Sequence, residues 1–345
     1  MTQMKFLIFG AGAIGTYIGG SLALAGYPVV FVERPELAQT LRQKGLRLVL
    51  HGEEKRLPAP IIAGSLAEAL DQGPFDAAVL AVKSFDTASV LKDIEPLKDR
   101  MPAVLSLQNG VENELELAGV LGQERVIAGT VTSAVGRNGP GDISLERFRG
   151  MGVAGAHRLV PELVAALQTA GLNPRAYPVE ADLKWSKMLT NLLSNATSAI
   201  LNLTPAEVFA DPRLCELEVR QLRETLAVMK ALGVGVVDLP KTPVRLLALG
   251  VQLLPLVLAR PLLGRAVGGG RGRKMPSFHI DLHGRRGKSE VDYLNGAVVR
   301  FGQKTGVATP VNQLLNETLL ALTSGKLKVE VFDHRPEALL KGLKG

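Results

Sequence analysis

Short, unbroken apolar runs separated by mixed segments fill the first half of the chain, and helical periodicity takes over in the second. Phe6–Phe9, Val29–Val32, Phe75–Val82 and Ala103–Leu107 are continuous runs of the kind expected of parallel strands buried on both faces. Between them the spacing predicts a helix ending at Gly26, another over Pro35–Gly45, a short one over Ser65–Leu70, and one running from Lys83-Ser84 to about Leu97. A further helix precedes a strand at Arg125–Val131, so strand and helix alternate as in an α/β sheet. Leu46–Leu50 and Arg56–Ile62 read as a strand pair around His51-Gly52-Glu53, and the glycine-rich stretch Gly136–Gly155 predicts antiparallel hairpins on the sheet edge. A helix over Pro161–Ala170 and an extended segment Pro174–Val179 lead to Glu180-Ala181-Asp182. A linker near residue 178 then divides the chain into domains at 1–178 and 179–345.

Past that point the pattern is helical, over Asp182–Leu203, Pro205–Phe209, Asp211–Leu232, Ser289–Gly306 and Thr309–Thr323. Leu246–Ala259 is nearly all apolar, bounded by Arg245 and Arg260 and interrupted by Gly250 and Pro255. A membrane span needs roughly 20 apolar residues, so no membrane crossing is expected of it. It reads as a buried helix or a subunit contact, which points to a homodimer; an interfacial helix or a lid over a site are the other readings. Gly268–Lys274 reads as a basic loop.

Composition narrows the classes. A chain of 345 residues, 46% hydrophobic and 21% charged, is long enough for two globular domains. Its single cysteine, Cys215, excludes an intrachain disulfide and a thiolate metal cluster and suits a reducing cytoplasm. Met1–Lys5 lacks the basic and apolar regions of a signal peptide, so a cytoplasmic location is expected. The net charge of +7 suits anionic small molecules or simply a soluble surface. With only 4% aromatic residues and no basic stretch interleaved with them, nucleic acid is not an expected partner.

The candidate chemistry starts at the end of the first strand, with Gly10-Ala11-Gly12-Ala13-Ile14-Gly15. G-x-G-x-x-G between a strand and a helix serves a dinucleotide: Gly10 for the tight turn, Gly12 for close approach to a pyrophosphate, Gly15 for helix packing. Glu33-Arg34 closes the second strand, where an acid holds the ribose hydroxyls of NAD and an arginine the 2′-phosphate of NADP. Lys83 and Asn109 follow later strands, at the edge where ligands bind in open parallel sheets. In the first helix of the second domain, Lys187, Asn191 and Asn195 are four apart and share one face, either a solvated stripe or a row of donors toward a cleft. Pro276–Asp281 and Ser289–Gly296 form a second polar constellation, with Ser289 a plausible helix cap. His279 and His283 flank Asp281, but with no cysteine or third histidine nearby no metal site is expected.

Five motifs, GAGAIG at Gly10–Gly15, VKSFD at Val82–Asp86, SLQNGVENE at Ser106–Glu114, WSKMLTNLLSN at Trp185–Asn195 and SEVDYLNG at Ser289–Gly296, resemble in that order those of the ketopantoate reductases (2-dehydropantoate 2-reductases). The resemblance runs from Met1 to about Thr323. It implies a Rossmann-type α/β N-terminal domain, an all-α C-terminal domain like that of 6-phosphogluconate dehydrogenase, and NADPH-dependent reduction of 2-dehydropantoate to (R)-pantoate on the route to pantothenate and coenzyme A. By position, Lys187 resembles the general acid, Glu290 the essential glutamate near substrate and nicotinamide ribose, and Asn191, Asn195 and Ser277 the substrate-binding residues. Lys83 and Asn109 resemble cleft residues that contact cofactor and substrate, and Arg34 the 2′-phosphate ligand, while Glu33 admits NAD beside NADP. The chain departs from the family pattern in a longer spacing between Asp281 and Glu290, in the apolar segment Leu246–Ala259, and in Pro205, near where some members carry another asparagine. Reduction of a different 2-oxo acid and non-catalytic NADP binding are the alternative readings.

Overall fold

The computed structural model describes residues 3–254, 275–284 and 287–343. It divides into two compact units. The first runs to Gln108 and adds Glu112–Lys184 and Leu239–Thr242; the second takes Asn109–Val111, Trp185–Asp238 and the chain from Pro243.

In the first unit β1 (Phe6–Phe9) lies inside an eight-stranded sheet, paired in parallel with β2 (Val29–Val32) and β6 (Ala77–Leu80). β5 (Ile61–Ala63) extends the sheet beyond β2, and β7 (Ala103–Ser106), β8 (Val126–Val131), β11 (Met151–Ala154) and β12 (Pro174–Tyr177) extend it beyond β6. All pairings in this sheet are parallel except that of β11 with β8, so β11 and β12 together run against the other strands. Alternation along β1 divides its side chains between two cores. Phe6 and Ile8 pack with Ile18, Leu22 and Leu163, and Leu7 and Phe9 with Leu66, Ile94 and Leu117. Each such side chain contributes about 1.5–3 kcal/mol on burial, so both faces must be covered. The cover comes from α1 (Ala13–Leu24), α2 (Pro35–Lys44), α3 (Leu66–Leu70), α4 (Thr87–Ile94), α5 (Asn113–Leu121) and α6 (Val160–Thr169).

The hairpins expected on the main sheet edge are instead mostly a second sheet. β9 (Ala134–Gly139) and β10 (Asp142–Arg147) join β3 (Leu46–Leu50) and β4 (Glu53–Leu57) in the order β4-β3-β10-β9, with β10 parallel to β3. Leu46, Leu48 and Ile143 give this small sheet one apolar face, which packs on α1. Gly20 permits the approach, because a Cβ there would lie 2.7 Å from Leu48 Cδ2. Only Met151–Ala154 returns to the main sheet. Likewise the strand expected over Arg56–Ile62 is two strands in different sheets, separated at Pro58 and Pro60.

The second unit is all-α. It carries α7 (Glu180–Leu192), whose first turns belong to the first unit, then α8 (Asn195–Leu201), α9 (Pro205–Ala210), α10 (Pro212–Ala231), α11 (Val244–Leu253), α12 (Ser277–His283), α13 (Ala297–Thr305), α14 (Pro310–Thr323) and α15 (Pro336–Leu340). The single helix expected over Asp182–Leu203 is broken, with Ser194 in the left-handed region at φ 52° and ψ 8°. The helix expected from Ser289 opens with a π-helical turn at Asp292–Gly296 before α13. Pro205 is the first residue of α9, behind a capping box of Thr204 and Glu207. α11 buries Val244, Ala248 and Val251 but exposes Leu246, Leu249 and Leu253, so the expectation of a buried helix holds for one face only. The remainder of the apolar run, 255–259, and the basic loop 268–274 lie outside the described residues. No described helix is long and apolar enough to cross a membrane.

Candidate active site

In the first unit the glycine loop joins β1 to α1. Gly10 takes φ +88°, which a side chain rarely adopts, and a Cβ at Gly15 would collide with the Gly10 carbonyl oxygen. Gly12 differs from both: a Cβ there would meet nothing within 4 Å. Gly10 and Gly15 therefore answer to the fold, and Gly12 faces open space at the N-terminus of α1, a geometry that fits a pyrophosphate. Glu33 sits against this loop. Its carboxylate accepts the Ala11 N–H at 2.8 Å and the Arg34 N–H at 3.1 Å, while the Arg34 side chain is exposed. Ala13 and Ile14 open α1.

Lys83 follows β6 and precedes a single 3-10 turn at Ser84–Asp86. A buried chain of hydrogen bonds ties that turn to the segment after β7. Asn113 donates to Ser84 Oγ at 3.4 Å, Thr87 to Asn113 Oδ1 at 3.2 Å, and Gln108 Nε2 to Thr87 Oγ1 at 2.7 Å. Lys184, 5% exposed, donates to the Gln108 carbonyl at 2.6 Å and to Glu114 Oε1 at 2.8 Å. The residue before Asn109 is thus held from both its side chain and its backbone.

In the second unit Asn191 Nδ2 donates to Asn109 Oδ1 at 3.0 Å. Asn195 Oδ1 accepts the Phe278 N–H at 3.1 Å, and its Nδ2 lies 3.5 Å from Ser277 Oγ. The segment Trp185–Asn195 thereby meets two others far from it in sequence, Ser106–Glu114 through Asn109 and Pro276–Asp281 through Ser277 and Phe278. The single stripe expected of Lys187, Asn191 and Asn195 is not present, because the break at Ser194 puts Asn195 on a new helix facing α12. Lys187, half-buried, stays one turn before Asn191 on α7. Glu290 is 1% exposed, two residues before the π-helical turn; Ser289 Oγ accepts the Val291 N–H at 3.2 Å, but the residue that caps the turn is Val291, not the Ser289 expected from sequence.

His279 and His283 stack at 4.1 Å on α12. His279 Nε2 meets Asn202 Oδ1 at 2.7 Å and His283 Nε2 meets the Ala199 carbonyl at 3.2 Å, so a nitrogen of each ring is engaged by protein. Burial, with the neighbouring His283 charge second, pushes His279 down to about 4. No group of three or more metal-ligating side chains occurs among the described residues.

Sequence reading passed over the supports of these residues, namely Glu114, Lys184, Glu218, Gln221, Asn295 and Asn312. The signal was present on α10, where Glu218 and Gln221 fall on the same 3–4 spacing as the buried Leu214, Leu217, Leu222 and Thr225. Polar residues on a buried stripe need partners.

A Rossmann-type α/β unit with a dinucleotide loop, followed by an all-α unit carrying clustered amides and a lysine, defines a nicotinamide-dependent oxidoreductase. The chain belongs to the ketopantoate reductase family PanE/ApbA: the family model matches residues 6–157, and the model of its C-terminal part matches residues 181–323. A 2-dehydropantoate 2-reductase of Mesorhizobium japonicum is 31% identical over 337 residues, spanning 89% of this chain and 94% of that protein. One of Halobacterium salinarum is 27% identical, spanning 90% and 96%. The crystal structure of a PanE/ApbA family ketopantoate reductase from Ralstonia eutropha, 28% identical, superposes with a TM-score of 0.78 over 94% of this chain and 99% of that one.

Proposed function

We propose that this protein reduces 2-dehydropantoate to (R)-pantoate with a nicotinamide cofactor, taking NADPH ahead of NADH. The observation that carries the reading is the pairing of Asn109 with Asn191 and of Asn195 with Ser277 in one helical unit, with Lys187 one turn before Asn191. A bound reduced nicotinamide supplies the hydride. Lys187 donates the proton that the resulting alkoxide needs, a contribution typically worth about 10²–10⁴-fold. Asn191 and Asn195 donate to the keto and carboxylate oxygens, Ser277 holds the carboxylate, and Glu290 orients substrate and ribose hydroxyls. Gly10, Ala11, Gly12, Ala13, Ile14 and Gly15 cradle the pyrophosphate, with Lys83 and Asn109 also contacting the cofactor. Arg34 takes the 2′-phosphate, and Glu33 weakens the preference for NADPH because its carboxylate stands on the same loop. The protein acts as a cytoplasmic homodimer in this reading, with the stripe Leu246, Leu249 and Leu253 available for subunit contact.

Steady-state rates on 2-dehydropantoate with each nucleotide, for the wild type and Arg34→Ala, test the reading. The substitution is expected to raise KM for NADPH about tenfold, the worth of one charge-assisted contact, and to leave KM for NADH unchanged. Absence of turnover with both nucleotides contradicts the reaction. Equal effects on both, or none, contradict the role of Arg34.

A further inference from the structure

The break between α7 and α8 is built by a neighbouring helix. Ser194, not a glycine, holds left-handed backbone at the break. Glu218 of α10, fully buried, receives it: one carboxylate oxygen accepts the Ser194 N–H at 2.7 Å and the other accepts the Thr197 hydroxyl at 2.5 Å. Three residues on, Gln221 Nε2 donates to the Leu192 carbonyl at 3.1 Å, closing the end of α7. Gln221 is itself held, its Oε1 accepting from Asn295 at 3.1 Å and its carbonyl from Asn312 at 3.1 Å. A carboxylate at the start of α8 also complements the partial positive charge of the helix end.

The consequence falls on two residues assigned to the substrate. In a continuous helix Asn191 and Asn195 would stack on one face. With the break, Asn191 turns to Asn109 while Asn195 turns to Phe278 and Ser277. We propose that Glu218 is a positioning residue for the reaction: by holding the Ser194 turn it sets the relative direction of Asn191 and Asn195, and so the seating of the keto acid. The inference rests on the substrate role given above to those two asparagines.

The test compares Glu218→Leu, Glu218→Gln, Glu218→Leu/Ser194→Gly and Asn195→Ala with the wild type, reading kcat, KM for 2-dehydropantoate and KM for NADPH. Misplacement of substrate groups is expected in Glu218→Leu to lower kcat and raise the keto-acid KM about tenfold each, with KM for NADPH within about twofold. Glu218→Gln, which keeps one acceptor, is expected to lose less. Glycine takes left-handed backbone freely, so Ser194→Gly is expected to recover about half of the lost kcat on a logarithmic scale. The proposal is overturned if the two KM values worsen together, if the keto-acid kinetics do not change, or if glycine at 194 recovers nothing. Should Glu218→Leu fail to fold, Glu218→Gln decides: a raised keto-acid KM alone supports the proposal, and an unchanged one overturns it. Unchanged kinetics in Asn195→Ala remove the substrate assignment and the inference with it. Impaired Asn195→Ala beside unaffected Glu218 variants removes only the inference.

Discussion

Gly12 and Gly15, three residues apart in one motif, answer to different demands. A methyl group on Gly15 meets the Gly10 carbonyl, so Gly15→Ala is expected to cost at least about 3 kcal/mol in a urea melt. A methyl group on Gly12 meets only open space, so Gly12→Ala is expected to change stability by less than about 1 kcal/mol. The same variant should nevertheless weaken NADPH about tenfold or more, measured by calorimetric titration, because the methyl occupies the pyrophosphate's approach. Loss of stability without loss of affinity in Gly12→Ala would contradict the assignment of this loop. The residue types of the motif were legible in sequence. Which glycine serves the fold and which faces open space was not, since that depends on the carbonyl of Gly10 and on the empty space beside Gly12.

At the level of elements, strands were legible where both faces are apolar, as in β1 and β7, because a continuous run has few alternatives. The small sheet was misread because β9 and β10 alternate as any hairpin does, whereas the strand that β10 joins, β3, lies some 95 residues earlier in the chain, and nothing local in Gly136–Gly155 points to it. The break after α7 was illegible because nothing in Leu192-Leu193-Ser194 opposes a helix strongly; the opposing groups, Glu218 and Gln221, come from α10. α12 offers a test by pH. His279 is held near 4 by burial and by His283, against 6.5 when unfolded. Between those values the unfolded chain binds the extra proton, so the contribution of His279 to stability is full above about pH 6.5 and is lost as pH falls toward 4. Thermal melts between pH 7 and 4.5 should show a drop in Tm that is shallower in His279→Gln. Identical slopes for the two proteins would contradict the partly buried, neutral ring.

At the scale of the whole molecule, five motifs spread from Gly10 to Gly296 fall on two units. The α/β unit carries the glycine loop, Arg34 and Lys83; the helical unit carries Lys187, Asn191, Asn195, Ser277 and Glu290, together with Asn109. Asn109 belongs to the helical unit although it directly follows Gln108, which the buried Lys184 holds in the first unit. That crossing of the chain was hidden in the sequence, where SLQNGVENE reads as one loop after a strand. The family was legible because motif order survives where overall identity is only 31% to the Mesorhizobium relative. The central claim is that Lys187 protonates the product of hydride transfer to 2-dehydropantoate. It is tested most directly by the initial rate of NADPH oxidation with that acid in the wild type and in Lys187→Ala. The account predicts rapid turnover in the wild type and a loss of about 10²–10⁴-fold in the variant, with NADPH binding retained. A wild type that binds NADPH without turning over, or a variant as fast as the wild type, would contradict it.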